Sequence, residues 1–249
     1  MSTPPVVLLH GWGLTPRVWD ALRAALPPAL TVLAPALPGH GDAPPAAGPG
    51  LADWSAALSS AIPDGSLLCG WSLGGLIALD IARRHPTRVS RLVLIGTTPC
   101  FVARDANEPW PHGLAADTVA AFMTNFDTDP AATLQRFMAL QAMGDARRRA
   151  VSGGLGEALA PIAGARHAAL ADGLRVLAET DLRGIIARIE QPVRIVHGAR
   201  DALMPAGAAH WLGARLPHAT LTMLDDCGHA PLLSRPAECA ALIEAACLD

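Results

Sequence analysis

Gly70-Trp71-Ser72-Leu73-Gly74-Gly75 is the stretch on which the fold turns. An apolar, strand-like run containing Leu67 and Leu68 precedes it. A helix-like run from Leu76 to Arg84 follows and closes before Pro86. A strand that turns at once into a helix leaves so little room that the serine adopts a strained backbone conformation. Side chains two positions to either side would collide with it, which explains glycine at 70 and 74. The helix N-terminus behind Ser72 favours developing negative charge. Glycine-x-serine-x-glycine in a strand–turn–helix context presents the serine as a nucleophile. The bland alternative is a chance Gly-rich turn, and the flanking strand and helix argue against it.

Working outward, a serine nucleophile needs three kinds of help, and the sequence offers a candidate for each. Oxyanion stabilisation usually takes two backbone N–H groups. Leu73 follows the serine, and Trp12 lies in His10-Gly11-Trp12-Gly13 after the first strand-like run. Packing is the plain alternative for Trp12, and its amide can donate while its indole lines a pocket. His10 is expected to hold this loop by hydrogen bonding. A general base is offered by His229 in Asp226-Cys227-Gly228-His229-Ala230-Pro231, after the last strand-like run. A neutral imidazole there can take the serine proton and return it to a leaving group. Asp201, on the loop after the run ending at Val196, can fix the tautomer of that histidine. Asp225 and Asp226 compete for this role. Asp201 is preferred because Ser…Asp…His order then places each member on its own loop. The remaining histidines lack this context, and His40, His85 and His218 are assigned surface or capping roles.

Six short apolar runs (6–9, 30–34, 66–69, 91–95, 193–196 and 220–224) alternate with Ala/Leu-rich stretches of helical spacing. Repeated strand-then-helix order predicts a mostly parallel sheet covered on both faces, with active residues at the strands' C-terminal edge. Strand signals stop over 104–182, where 118–125 and 131–142 read as helices. The division expected is a core of 1–103 and 183–249 with a helical lid at 104–182. Ordinary crossover helices are the alternative.

Composition excludes several classes. Hydrophobic residues make up 51% and charged residues 16% of the 249, so a disordered chain is excluded. A formal net charge of −3 is no match for nucleic acid. No apolar run approaches the roughly 20 residues that span a bilayer. The start, Met1-Ser2-Thr3-Pro4-Pro5, lacks a basic segment before a signal-like core, so a cytoplasmic location is expected. The five cysteines are scattered and odd in number, and are read as buried free thiols rather than metal ligands.

These motifs together resemble the α/β-hydrolase superfamily over nearly the whole chain. Within it the resemblance is to the pimeloyl-[acyl-carrier protein] methyl ester esterases of biotin synthesis. The residues that carry it are Leu8 to Leu14, Gly70 to Leu76, Thr98-Pro99-Cys100-Phe101, and Arg136-Phe137-Met138-Ala139-Leu140-Gln141-Ala142-Met143-Gly144. The last two lie in or beside the expected lid, where hydrolase subfamilies differ most. The resemblance implies a carboxylesterase that cleaves the methyl ester of pimeloyl-acyl carrier protein, with no cofactor or metal. It places oxyanion donors at Trp12 and Leu73. It places substrate contacts at Phe137, Met138, Ala139, Leu140 and Gln141. A monomer is expected, with acyl carrier protein as partner and neither nucleic acid nor membrane.

That carrier protein is strongly acidic, so positive charge near the pocket mouth is expected. Six arginines and three acids lie between Arg136 and Arg175. Arg136, Arg147, Arg148 and Arg149 are the docking candidates, with a solvated helix face as the alternative. One departure stands out. Superfamily members usually place one or two strands before the His-Gly loop, whereas five residues precede Val6. About six strands are therefore expected, with the N-terminal edge strands missing or the start placed too late. Other readings stay open: a short-chain carboxylesterase, a lactonase, a C–C bond hydrolase, a cofactor-free perhydrolase, or an inert ligand receptor on the same fold.

Overall fold

The computed structural model describes residues 3–105, 108–160 and 165–248. Its centre is a six-stranded sheet in the order β2-β1-β3-β4-β5-β6, every neighbouring pair parallel. The strands are β1 (Val6–Leu9), β2 (Val32–Leu33), β3 (Ser66–Trp71), β4 (Val89–Ile95), β5 (Val193–Gly198) and β6 (Ala219–Leu224). All four residues of β1 and all six of β3 are buried, as continuous apolar runs in a doubly covered parallel sheet must be. The run at 30–34 forms only a two-residue strand, with Val6 opposite Val32 and Val7 opposite Leu33. Among the described residues β2 is one edge of the sheet, and Leu33 is exposed.

Helices α1 (Asp20–Ala25), α2 (Leu51–Ser59) and α3 (Leu73–Arg84) follow the first strands. The chain then leaves the sheet after β4 and builds α4 (Ala116–Thr128), α5 (Pro130–Gln141), α6 (Arg148–Ala158) and α7 (Ala165–Glu179). Pro130 and an Asp129 side chain that accepts from the Ala132 amide at 3.0 Å start α5. The chain returns where Cys100 bridges Asp181 and the Leu182 amide donates to Pro99 O at 2.9 Å. Beyond lie α8 (Ala206–Arg215), α9 (Pro231–Ser234) and α10 (Pro236–Leu248). The five cysteines are free and buried. No described helix is long and apolar enough to cross a membrane.

Candidate active site

Ser72 sits between β3 and α3 at φ 57°, ψ −120°, the one described non-glycine residue with positive φ. Such a backbone is costly for a side-chain-bearing residue and persists only where packing holds it. The packing here is severe. A Cβ on Gly70 would lie 2.4 Å from Gly74 O, and one on Gly74 would lie 2.2 Å from Leu9 O. The serine is thus raised at the C-terminal edge of the sheet with α3 running away behind it.

Asp201 and His229 arrive from the loops after β5 and β6. His229 Nδ1–H donates to Asp201 Oδ2 at 2.7 Å. The other carboxylate oxygen accepts from the Leu203 amide at 2.8 Å and the Met204 amide at 2.9 Å. Burial pushes the Asp201 carboxyl up, but the His229 charge and hydrogen bond, His197 and the Met204 amide outweigh it. The group is held below its ordinary range and stays a carboxylate. Asp225 and Asp226 have no part in this pair; Asp226 instead pairs with Arg235.

His229 Nε2 is buried and has no hydrogen-bond partner among the described residues. Trp71, which precedes Ser72 in the chain, donates its indole Nε1–H to His229 O at 2.9 Å. No hydrogen bond joins Ser72 Oγ to the imidazole among the described residues. Catalytic hydrogen bonds of this kind often tighten only when substrate is bound. The His10–Gly13 loop passes beside the serine: a Cβ on Gly11 would lie 3.4 Å from Ser72 Cβ. Neither the Trp12 nor the Leu73 amide donates to another described residue. Two free N–H groups beside a raised hydroxyl are the donors an oxyanion needs.

The Alpha/beta hydrolase family profile matches residues 6–242. The chain belongs to the α/β-hydrolase family. Among curated proteins it is 60% identical to the pimeloyl-[acyl-carrier protein] methyl ester esterase of Aromatoleum aromaticum, over 98% of each chain. It is 38% identical to the protein of the same name from Nitrosomonas europaea, covering 94% of this chain and 91% of the relative. An esterase from Exiguobacterium antarcticum superposes with a TM-score of 0.83 at 22% identity, covering 100% of this chain and 93% of that one. The enol-lactonase of Burkholderia xenovorans superposes at 0.82 and 19%, covering 100% and 93%. At such identities these two likenesses show the fold alone.

In this α/β-hydrolase an apolar cavity lies between the sheet edge and the helices of the insertion. Phe101, Phe122, Phe137, Leu140, Leu177 and Leu203 are among its lining residues. Of the five residues of α5 implied as substrate contacts, Phe137 and Leu140 line this cavity. Met138 and Gln141 are buried beside it, with Gln141 Nε2 donating to Met138 Sδ at 3.3 Å. Ala139 is exposed and does not line the cavity, because it falls on the outer face of α5. The Trp12 indole packs edge-on against Phe126 and Phe137 and donates to Leu170 O at 2.7 Å, so the His10–Gly13 loop leans on the insertion.

The arginines divide. Arg136, Arg148 and Arg149 are exposed with no ion pair among the described residues, whereas Arg147 Nη1 donates to Ser234 O at 2.8 Å and has a structural role. His40 is a correction. Its position in a Pro-Gly loop suggested a surface role, but it is fully buried, and its Nε2 accepts from the Gly13 amide at 3.1 Å. His10 acts in parallel: its Nε2 accepts from the Leu37 amide at 3.0 Å. Each imidazole donates through Nδ1 to a carbonyl, Gly11 O or Pro38 O, so both are neutral with fixed tautomers. Burial holds His10 down to about 3 and His40 down to about 4. Sequence reasoning also missed His197, whose Nε2–H donates to Met204 O at 2.8 Å and lies 3.7 Å from Asp201 Oδ2. The available signal was a second His-Gly pair ending a strand, at 197–198 as at 10–11. Among the described residues no group of three His, Cys, Asp or Glu could hold a metal ion.

Proposed function

We propose that this enzyme is a serine carboxylesterase that hydrolyses the methyl ester of pimeloyl-acyl carrier protein, in biotin synthesis. The carrying observation is 60% identity to an esterase of that name over 98% of both chains, the insertion included. In this reading Ser72, His229 and Asp201 form the catalytic triad, Trp12 and Leu73 supply the oxyanion hole, and 104–182 is a lid. The apolar lining of the cavity suits a methylene chain, and the exposed Arg136, Arg148 and Arg149 suit an acidic carrier.

The chemistry is two-step acyl transfer. Ser72 Oγ attacks the ester carbonyl while His229 Nε2 takes its proton. Asp201 stabilises the imidazolium and keeps Nδ1–H toward itself. The oxyanion is held by the Trp12 and Leu73 amides until the C–O bond breaks and methanol leaves with the proton from His229. Water then attacks the acyl-enzyme through the same base, freeing the acid and restoring the serine.

The test is complementation of a biotin auxotroph lacking its pimeloyl-ester esterase, with wild-type chain and Ser72→Ala. Wild type is expected to restore growth. The variant is expected to fold but lose kcat by on the order of 10³–10⁶. Growth supported by Ser72→Ala would overturn the mechanism. Failure of wild type, with fast turnover of simple esters, would overturn the substrate.

A further inference from the structure

The loop joining α5 to α6 reaches down to the two loops that carry the proposed acid and base. Asp145, at the centre of that loop, is buried. Its Oδ2 accepts from the Gly228 amide at 2.9 Å, and Gly228 immediately precedes His229. Its Oδ1 accepts from the Arg147 amide at 2.8 Å, which turns the chain into α6. One residue on, the Ala146 amide donates to Asp226 O at 2.9 Å. The fit leaves no slack. A Cβ on Gly228 would lie 2.6 Å from Met143 O, and one on Gly144, at φ 79°, would lie 2.5 Å from Arg200 O. Arg200 precedes Asp201, and its amide donates to Cys227 O at 3.0 Å, closing the ring of three loops.

A buried carboxylate in a helical insertion is expensive unless it is hydrogen-bonded. Here both oxygens are engaged, and one holds the peptide N–H that sets where His229 begins. We propose that Asp145 is a positioning residue: its carboxylate couples seating of the insertion to the orientation of the His229 imidazole. The proposal rests on the triad reading above. Asp145 need touch no substrate. It fixes a backbone unit, and displacement of a catalytic group by about 1 Å can cost on the order of 10²-fold in rate.

The experiment compares Asp145→Ala, Asp145→Glu and Asp145→Asn with wild type on p-nitrophenyl butyrate, which needs no carrier protein. Asp145→Ala removes both acceptors and is expected to lower kcat roughly 10- to 100-fold with KM within about threefold. Asp145→Glu keeps the charge but displaces the carboxylate. It should lower kcat likewise, and carries the comparison if the alanine variant does not fold. Asp145→Asn keeps a carbonyl acceptor for the Gly228 amide and should recover most of the rate. Proton NMR supplies a second readout, with the downfield His229 Nδ1–H signal broadened in the alanine and glutamate variants and sharp in the asparagine variant. Unchanged kcat in folded Ala and Glu variants would overturn the proposal. So would a rise in KM at constant kcat, or an Asn variant no better than Ala. The triad reading is checked separately by fluorophosphonate labelling of wild type. No labelling sinks that reading and this one together, while normal labelling with unchanged Asp145→Ala kinetics sinks this one alone.

Discussion

Single residues set the chemistry here through which protons they can hold. Asp201 stays ionised although buried, because three surrounding groups, His229, His197 and the Met204 amide, favour its charge. His10 and His40 are the reverse case: two buried imidazoles kept neutral so that each can accept an N–H from a loop beside the site. That neutrality has a pH cost with a definite sign. His40 binds its proton below about 4 when folded, against about 6.5 when unfolded. Between those values the unfolded chain carries more protons, so stability falls as pH drops from about 6.5 towards 4 and then levels. Urea unfolding at pH 7.5 and pH 5 is expected to show a loss on the order of a few kcal/mol, His10 contributing in the same direction. His40→Gln, which cannot charge, should shrink that difference; an undiminished pH dependence in the variant would count against the assignment.

The decisive element is the β3–α3 turn. Its glycines are set by contacts from outside the turn as well as within it. A Cβ on Gly75 would lie 2.0 Å from Thr97 Oγ1, on the loop after β4. Gly75→Ala must therefore push α3 from the sheet or rotate Thr97, which already donates to Ile95 O at 3.1 Å. Overpacking of this kind costs roughly 1–3 kcal/mol. We expect a lower urea midpoint with unchanged m-value, and kcat reduced because Ser72 moves with the helix. Wild-type stability in this variant would show that the turn has more give than the geometry allows. The helices read at 118–125 and 131–142 formed at Ala116–Thr128 and Pro130–Gln141, since both carry apolar spacing and the second is started by Asp129 and Pro130. The run at 30–34 gave only two paired residues, because strand length at an edge depends on the neighbour available rather than on propensity.

At the scale of the molecule, charge and apolar surface are separated. The chain is net −3, yet Arg136, Arg148 and Arg149 stand exposed on the insertion with no ion pair among the described residues, while other residues of the insertion line an apolar cavity. Exposed charge acts mainly on association and is screened by salt within about 10 Å at 0.1 M. The double variant Arg148→Glu/Arg149→Glu is therefore expected to raise KM for a carrier-protein-linked ester by about tenfold at low salt. It should leave p-nitrophenyl butyrate within about twofold, with the gap closing as salt rises. Equal effects on both substrates would place these arginines in folding rather than docking. Arg147 is left out of that variant because it holds Ser234 O.

Local chemistry was enough to mark the serine turn, the strand runs and the loops that bear Asp201 and His229, since tight turns and apolar periodicity are written in neighbouring residues. Depth and partnership were not. Whether His40 faced water or the Gly13 amide, whether Ala139 faced the cavity, and that Asp145 would reach Gly228 all depended on segments many residues apart packing together. A side chain's neighbours across space are fixed only when the sheet and the inserted helices close on one another, so only the tertiary structure could decide them.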